Sequence, residues 1–182
     1  MRRVTVVRTY LALDDRSQFN AKQVKPGMSG TIIRRAPCPV DVYRRLYREV
    51  GEQWYWHDRL EWSDESLAEH LSRPDVGVWE MTVGQDSAGY FELQRHDDGS
   101  LEVAYFGLTP AYIGQGLGGR MLQRAVDEAW ALGANRIWLH TCTLDSARAL
   151  PNYMKCGFQP YKTERLEVEI EGKEVVSERM LG

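Results

Sequence analysis

The chain has 182 residues, 43% of them hydrophobic, and a formal net charge of −3, which fits one globular domain with its own core and excludes a nucleic-acid binder that relies on neutralising phosphates. No apolar run is long enough to cross a bilayer as a helix, and Met1-Arg2-Arg3-Val4 leads into strand-like alternation rather than a signal peptide. Cys38, Cys142 and Cys156 lack CxxC or metal spacing, and the four histidines have no ligand spacing, so reduced thiols, no metal and a cytoplasmic location are expected.

In chain order, Arg3 to Leu13 alternates Val4, Val6 and Tyr10 with polar residues and reads as a strand. Asp14 to Gly30, with Pro26-Gly27, reads as a loop, and Thr31 to Ala36 as a second strand stopped by Pro37 and Pro39. Val42, Leu46 and Val50 recur on one face of a helix over Asp41 to Gly51. Ser63-Asp64-Glu65-Ser66 has the polar start of a helix that runs to Leu71, before Pro74. Val76 to Val83, Gly89 to Arg95 and Leu101 to Leu108 are three strands joined by turns at Gln85-Asp86 and Asp97-Asp98-Gly99, an antiparallel meander.

After that meander comes Thr109-Pro110-Ala111-Tyr112-Ile113-Gly114-Gln115-Gly116-Leu117-Gly118-Gly119-Arg120. A helix follows from Gly116 to Leu132, with Leu117, Met121, Leu122, Ala125 and Ala129 as its buried stripe and Gly133 as its cap. Glycines at a helix start let backbone amides approach an anion, and the first turn leaves N–H groups without intrahelical partners, so the stretch is read as a pyrophosphate cradle. Two nucleotide readings fail on detail. Gly114, Gly116 and Gly119 match a dinucleotide fingerprint in spacing, but Thr109 to Ile113 separates strand from loop and the next strand, Arg136 to His140, ends without an acid. A P-loop needs Gly-Lys-Ser/Thr, where this chain has Gly118-Gly119-Arg120. The remaining elements are a strand from Asn135 to Cys142, a helix from about Ser146 to Lys155, and strands over Phe158 to Ile170 and Glu174 to Met180 turned at Glu171-Gly172-Lys173.

The glycine loop resembles the acetyl-coenzyme A loop of the GNAT N-acetyltransferase superfamily, whose pattern is Gln/Arg-x-x-Gly-x-Gly/Ala after a strand and a short linker. Gly116 and Gly118 fall on the two small positions, and Ile113 departs from the polar first one. Leu150 to Phe158 resembles the family's later signature, a Tyr (Tyr153) followed at fixed spacing by Gly157-Phe158. The resemblance covers roughly residues 76–160, the expected acetyl-CoA core of a single domain over 1–182. It implies an α/β (α+β) fold, a mixed central sheet of mostly antiparallel strands flanked by helices. The order β-β-α-α-β-β-β-α-β-α-β-β agrees with it.

The same resemblance implies transfer of an acetyl group from acetyl-CoA to a primary amine, with a non-catalytic acyl-CoA-binding module as the alternative. It makes Tyr153 the general acid that protonates the departing thiolate, against packing on the sheet as the plain reading. Glu102, six residues before Leu108, sits at the spacing of a glutamate that serves as general base in some members, directly or through water. Its plain reading is a solvent-facing strand residue, and His140 and His57 are weaker base candidates. Phe106 is expected to offer its N–H to the acetyl oxygen and Leu108 to pair with the pantetheine on an unpaired strand edge. Ile113, Gly114, Gln115, Gly116, Leu117, Gly118 and Gly119 form the implied pyrophosphate site. Ser146 takes the place of an Asn that contacts coenzyme A, and Asp145 is its rival as a helix cap. Finally, Gln53 to Trp62 holds three of the six tryptophans. Trp54, Trp56 and Asp58 are candidate acceptor contacts, and core or homodimer-interface packing is the other reading.

Overall fold

Alternating burial along the strands and one buried stripe per helix assemble a seven-stranded sheet in this computed structural model, which describes residues 2–21 and 27–170. The strands are β1 (Arg2–Leu13), β2 (Thr31–Arg35), β3 (Val76–Val83), β4 (Asp86–Arg95), β5 (Leu101–Leu108), β6 (Ile137–Cys142) and β7 (Gln159–Ile170). The helices are α1 (Val40–Gly51), α2 (Asp64–Ser72), α3 (Leu117–Ala131) and α4 (Ala149–Lys155). The fold class expected from the sequence is observed. The final strand and its turn over 171–182, and part of the 14–30 loop, lie outside the described residues.

The sheet order is β2-β3-β4-β5-β6-β1-β7, antiparallel at every contact except β5–β6. The N-terminal strand therefore lies deep in the sheet, paired to β6 on one side and to β7 on the other. Local alternation gives a strand its faces but not its neighbours, so this placement was not readable beforehand.

Most boundaries follow local chemistry. Ser63 caps α2 by accepting the Ser66 N–H at 3.2 Å. The α3 stripe is as expected, with Val126 added. Gly133, at φ +83°, ends α3 with its N–H on Trp130 O and the Ala134 N–H on Ala129 O, a Schellman pairing. Three elements differ from expectation. β4 begins at Asp86, because Val83 pairs with Asp86 across a two-residue turn. The buried face of α1 is Tyr43, Leu46, Tyr47 and Val50, with Val42 only partly buried, because the Tyr43 phenol reaches a carboxylate on β4. α4 starts at Ala149 rather than Ser146, because Asp145 turns back to β6 instead of capping the helix.

Two hydrophobic clusters sandwich the sheet. Under α3, Leu11, Leu13, Trp79, Phe91, Leu101, Val103 and Leu139 join the helix stripe, with Phe106, Leu108 and Tyr153 packed against them. Under α1 and α2, Tyr43, Leu46, Tyr47, Val50, Leu67, Val78 and Tyr90 form the second, with Trp56, Trp62 and Tyr105 at its margin.

Candidate active site

The parallel pair β5–β6 is joined only at Leu101↔Ile137 and Glu102↔Trp138. Beyond these residues the strands part, and the rest of β5 has one free edge. Its polarity follows from the ladder to β4. Thr109 donates its N–H to Ala88 O at 2.9 Å, and hydrogen-bonded pairs alternate along an antiparallel ladder. The pairs Tyr90↔Gly107 and Glu92↔Tyr105 therefore exchange bonds, while the amides of Phe106 and Leu108 turn outward into the opening. These are the two residues the sequence singled out for backbone contacts.

At the end of β5, a short turn over Pro110–Tyr112 carries the chain to the glycine loop. Gly116 is the N-cap of α3, at φ +83°, a left-handed conformation costly for any residue with a Cβ. Among the described residues no side chain caps this helix start, and no acid occupies its first turn, so its leading N–H groups are placed to meet an anion. Gly114 has open space around it, and a Cβ on Gly118 would meet only Leu108 Cδ1, at an ordinary 3.7 Å. Packing within the described residues does not require glycine at 118, which leaves the space there as a cradle. Gln115 closes the loop through Nε2 on Ala111 O at 2.7 Å, and its carbonyl accepts the Met28 N–H at 3.3 Å. Ile113 is exposed, Leu117 buried, and Gly119 stands in the first helical turn.

Tyr153, on α4, enters from the α3 side. Its ring meets Phe106 edge-on at 6.2 Å and Phe158 at 6.0 Å. Burial holds its phenol well above the ordinary tyrosine range, with the charge of Asp145 adding to the shift. A phenol so raised is a proton donor throughout the neutral range. Asp145 accepts from Thr141 Oγ1 at 2.7 Å and from the Cys142 N–H at 2.8 Å, fixing the end of β6 beside the opening. Ser146 accepts the Arg148 N–H at 3.3 Å in the turn before α4.

Glu102 is on the other side of the sheet, where β5 and β6 still pair. Leu101 and Val103 point into the α3 core, so Glu102 faces α1 and α2. Its carboxylate is 2.9 Å from His96 Nε2. Burial raises the Glu102 carboxyl above its usual value, and His96 pulls it part of the way back. The structure does not bring Glu102 against Tyr153: one stands on each face, at opposite ends of the parted strands. His140 also faces the α1–α2 side, against Tyr10 at 5.5 Å, and burial and the nearby Arg8 charge lower its pKa.

The aromatic segment divides. Trp56 packs inward, edge-on to Tyr105 at 5.1 Å and beside Tyr47 at 5.5 Å, with Gly51 leaving room for its ring, so core packing accounts for it. Trp62 lies under the Arg59 guanidinium at 3.9 Å. Trp54 is half-buried in a short turn, and Asp58 is exposed at the start of another. What sequence reasoning missed is the anchor beneath this segment. Glu92 is fully buried on β4 and accepts from the Tyr43 phenol at 2.5 Å, stands 2.8 Å from His70 Nε2, and lies 3.5 Å from an Arg59 amino group. A lone charge in the apolar run Tyr90-Phe91-Glu92-Leu93 was the available signal, because a buried carboxylate requires partners. Among the described residues, no group of three or more His, Cys, Asp and Glu side chains is placed to hold a metal ion, and no helix is long and apolar enough to cross a membrane.

Comparison with known proteins meets this geometry. A sequence model of the Acetyltransferase (GNAT) family matches residues 43–158. The chain is 24% identical over 137 residues to a mycothiol acetyltransferase of Corynebacterium glutamicum, a match covering 72% of this chain and 47% of that protein. It thus spans about half the length of the curated relatives it matches. Its fold is similar to a GCN5-related N-acetyltransferase from Kribbella flavida, with a TM-score of 0.61, 18% identity, and coverage of 96% of this chain and 62% of that one. It is also similar to a Bacillus subtilis acetyltransferase in complex with CoA, with a TM-score of 0.55, 21% identity, and coverage of 72% and 77%.

Proposed function

The chain belongs to the GNAT acetyltransferase family, and from that premise we propose that it moves the acetyl group of acetyl-CoA directly to a primary amine. One observation carries the reading. A strand edge with two outward amides, Phe106 and Leu108, runs straight into a glycine-built helix start. An extended, amide-bearing chain that ends in a pyrophosphate fits that sequence of features.

The thioester supplies an activated acetyl carbon. The leading N–H groups of α3 bind the pyrophosphate, and the Leu108 backbone pairs with the pantetheine. The Phe106 N–H polarises the acetyl oxygen as negative charge develops there. Glu102, made more basic by burial, takes a proton from the acceptor ammonium through water. The amine nitrogen bonds to the acetyl carbon, the carbon–sulfur bond breaks, and Tyr153 gives its phenolic proton to the leaving thiolate. The acceptor stands on the α1–α2 face, with Asp58 on its wall and the chain acting in the cytoplasm as a monomer or homodimer.

The competing reading is a non-catalytic acyl-CoA-binding module, which the exposed apolar Ile113 at the family's polar position favours. An assay of thiol release from acetyl-CoA over a panel of amines, paired with calorimetric binding, separates the two. Turnover on at least one amine is expected. Binding without turnover on any amine selects the module.

A further inference from the structure

The placement of β1 puts an arginine where, among the described residues, no carboxylate comes within ion-pair distance of it. Arg8 pairs with Cys142 in the β1–β6 register, and Tyr10 with His140. Leu11 and Leu13 point into the α3 core, so Arg8 and Tyr10 project from the opposite, acceptor-side face. Among the described residues every other partly buried arginine has a close partner for its guanidinium, although Arg59 and Arg136 also leave Nε without a hydrogen bond. Arg35, Arg44, Arg59 and Arg136 each have a carboxylate within 4 Å, and Arg95 bonds to Leu132 O. Arg8 has no such ion pair: it leans on the Tyr10 side chain and feels the Glu164 charge only at longer range, and its Nε is buried without a hydrogen-bond partner. Its cross-strand neighbour Glu164 attracts it from beyond ion-pair distance, while accepting from the Tyr10 phenol at 2.8 Å and pairing with Lys162.

The place of this charge is informative. Cys142 ends β6 beside the parted strands, and Asp145, bonded to its amide, is felt by the Tyr153 phenol on the other face. Across the groove, Asp58 comes near enough to act on His140, Tyr47 and Tyr105. A fixed positive group and a fixed negative group thus border the face where the acceptor is placed.

We propose that Arg8 is an anion subsite of the acceptor pocket, and that the acceptor is a small amine bearing a carboxylate, an amino-acid-like zwitterion. Arg8 holds the carboxylate in its planar fork and Asp58 faces the ammonium. This inference rests on the N-acetyltransferase reading above.

The test uses the full chain and matched pairs of free amino acids and their carboxamides, varied in side chain, with thiol release as the readout. The parent should prefer the acid to its carboxamide by about tenfold or more in kcat/KM, the scale of one hydrogen-bonded ionic contact. Arg8→Gln should abolish that preference by raising KM for the acids, leaving kcat on carboxamides and acetyl-CoA affinity unchanged. Arg8→Lys, which keeps the charge, should retain part of the preference, and melting temperatures establish that both variants fold. Equal use of acids and carboxamides by the parent, or a preference that survives Arg8→Gln, overturns the subsite while leaving amine acetylation standing. No thiol release with any amine, despite acetyl-CoA binding, overturns the transferase reading itself.

Discussion

Among the described residues no carboxylate is buried under α3, whereas on the α1–α2 face three carboxylates, Glu80, Glu92 and Glu102, have side chains only 2%, 0% and 14% exposed. The first face presents backbone: the amides of Phe106 and Leu108 and the leading N–H groups of α3. Apart from Tyr153, its side chains need only pack. The second presents charge, and buried charge must be held by named partners. Within that face the carboxylates differ in turn. Burial raises Glu80, but hydrogen bonds from Arg45 and Arg35 outweigh it and leave the carboxyl below its ordinary 4.5. Glu102 has His96, with a lesser contribution from the Arg59 charge, against its own burial and ends above 4.5. Two arginines make a structural anion, and one histidine leaves a basic one.

Breaking the charged face should cost the fold most. Glu92→Ala strips the partner from Arg59, His70 and the Tyr43 phenol at once, and removing one side of a buried ionic network costs about 3–5 kcal/mol. Urea denaturation should show that loss, and a change below ~1 kcal/mol would mean the network contributes little to stability. Breaking the packed face should cost chemistry instead. Tyr153→Phe keeps the ring between Phe106 and Phe158, so stability should hold while turnover falls about 10²-fold, the usual contribution of a general acid. Full activity with the native donor would leave Tyr153 as packing alone. The glycine cradle gives a smaller and more local effect. Gly118→Asp should weaken acetyl-CoA binding by tenfold or more, about 1.4 kcal/mol, by placing charge and bulk at the helix start. Gly118→Ala should fold at least as well as the parent, because its Cβ meets only Leu108. Unchanged affinity in a folded Gly118→Asp variant would move the pyrophosphate elsewhere.

The same contrast explains what the chain disclosed before its structure was known. The α3 stripe, the Ser63 cap and the glycine loop depend on residues close in sequence, and periodicity with turn chemistry was enough to read them, whereas the backbone roles of Phe106 and Leu108 came only from the family resemblance. The charged network was hidden because its members are far apart. Tyr43 lies 49 residues from Glu92, and His70 lies 22. Nothing local pairs them. The site of β1, and with it the role of Arg8, depends on strand pairing across more than 130 residues, which local patterns do not encode. The aromatic segment was read two ways, as an acceptor wall or as core or interface packing, because composition cannot tell inward from outward. Trp56 turned inward, and Asp58 stayed exposed.

Acid titration sharpens the distinction between the carboxylates at modest amplitude. A carboxyl whose folded pKa is lowered, as for Glu80, stabilises the fold above its unfolded value of about 4.5 and loses that contribution as pH falls through the folded value. For Glu102 the shift has the opposite sign, and the contribution is present below about 4.5 and lost as pH rises through the folded value. Melting temperature followed from about pH 6 to pH 3 should therefore fall less steeply in Glu80→Gln than in the parent. An unchanged slope would remove Glu80 from the account.

The division of labour between the faces is tested most directly by the pH profile of kcat/KM in the parent, in Glu102→Gln and in Tyr153→Phe. The parent should show an acidic limb above the ordinary carboxylate range, because burial raises Glu102, and no alkaline limb through the ordinary tyrosine range, because Tyr153 is raised beyond it. Glu102→Gln should lose the acidic limb. Tyr153→Phe should be slower at every pH with the limb unmoved. An acidic limb that persists in Glu102→Gln, or one that shifts in Tyr153→Phe, would contradict the assignment of base to one face and acid to the other.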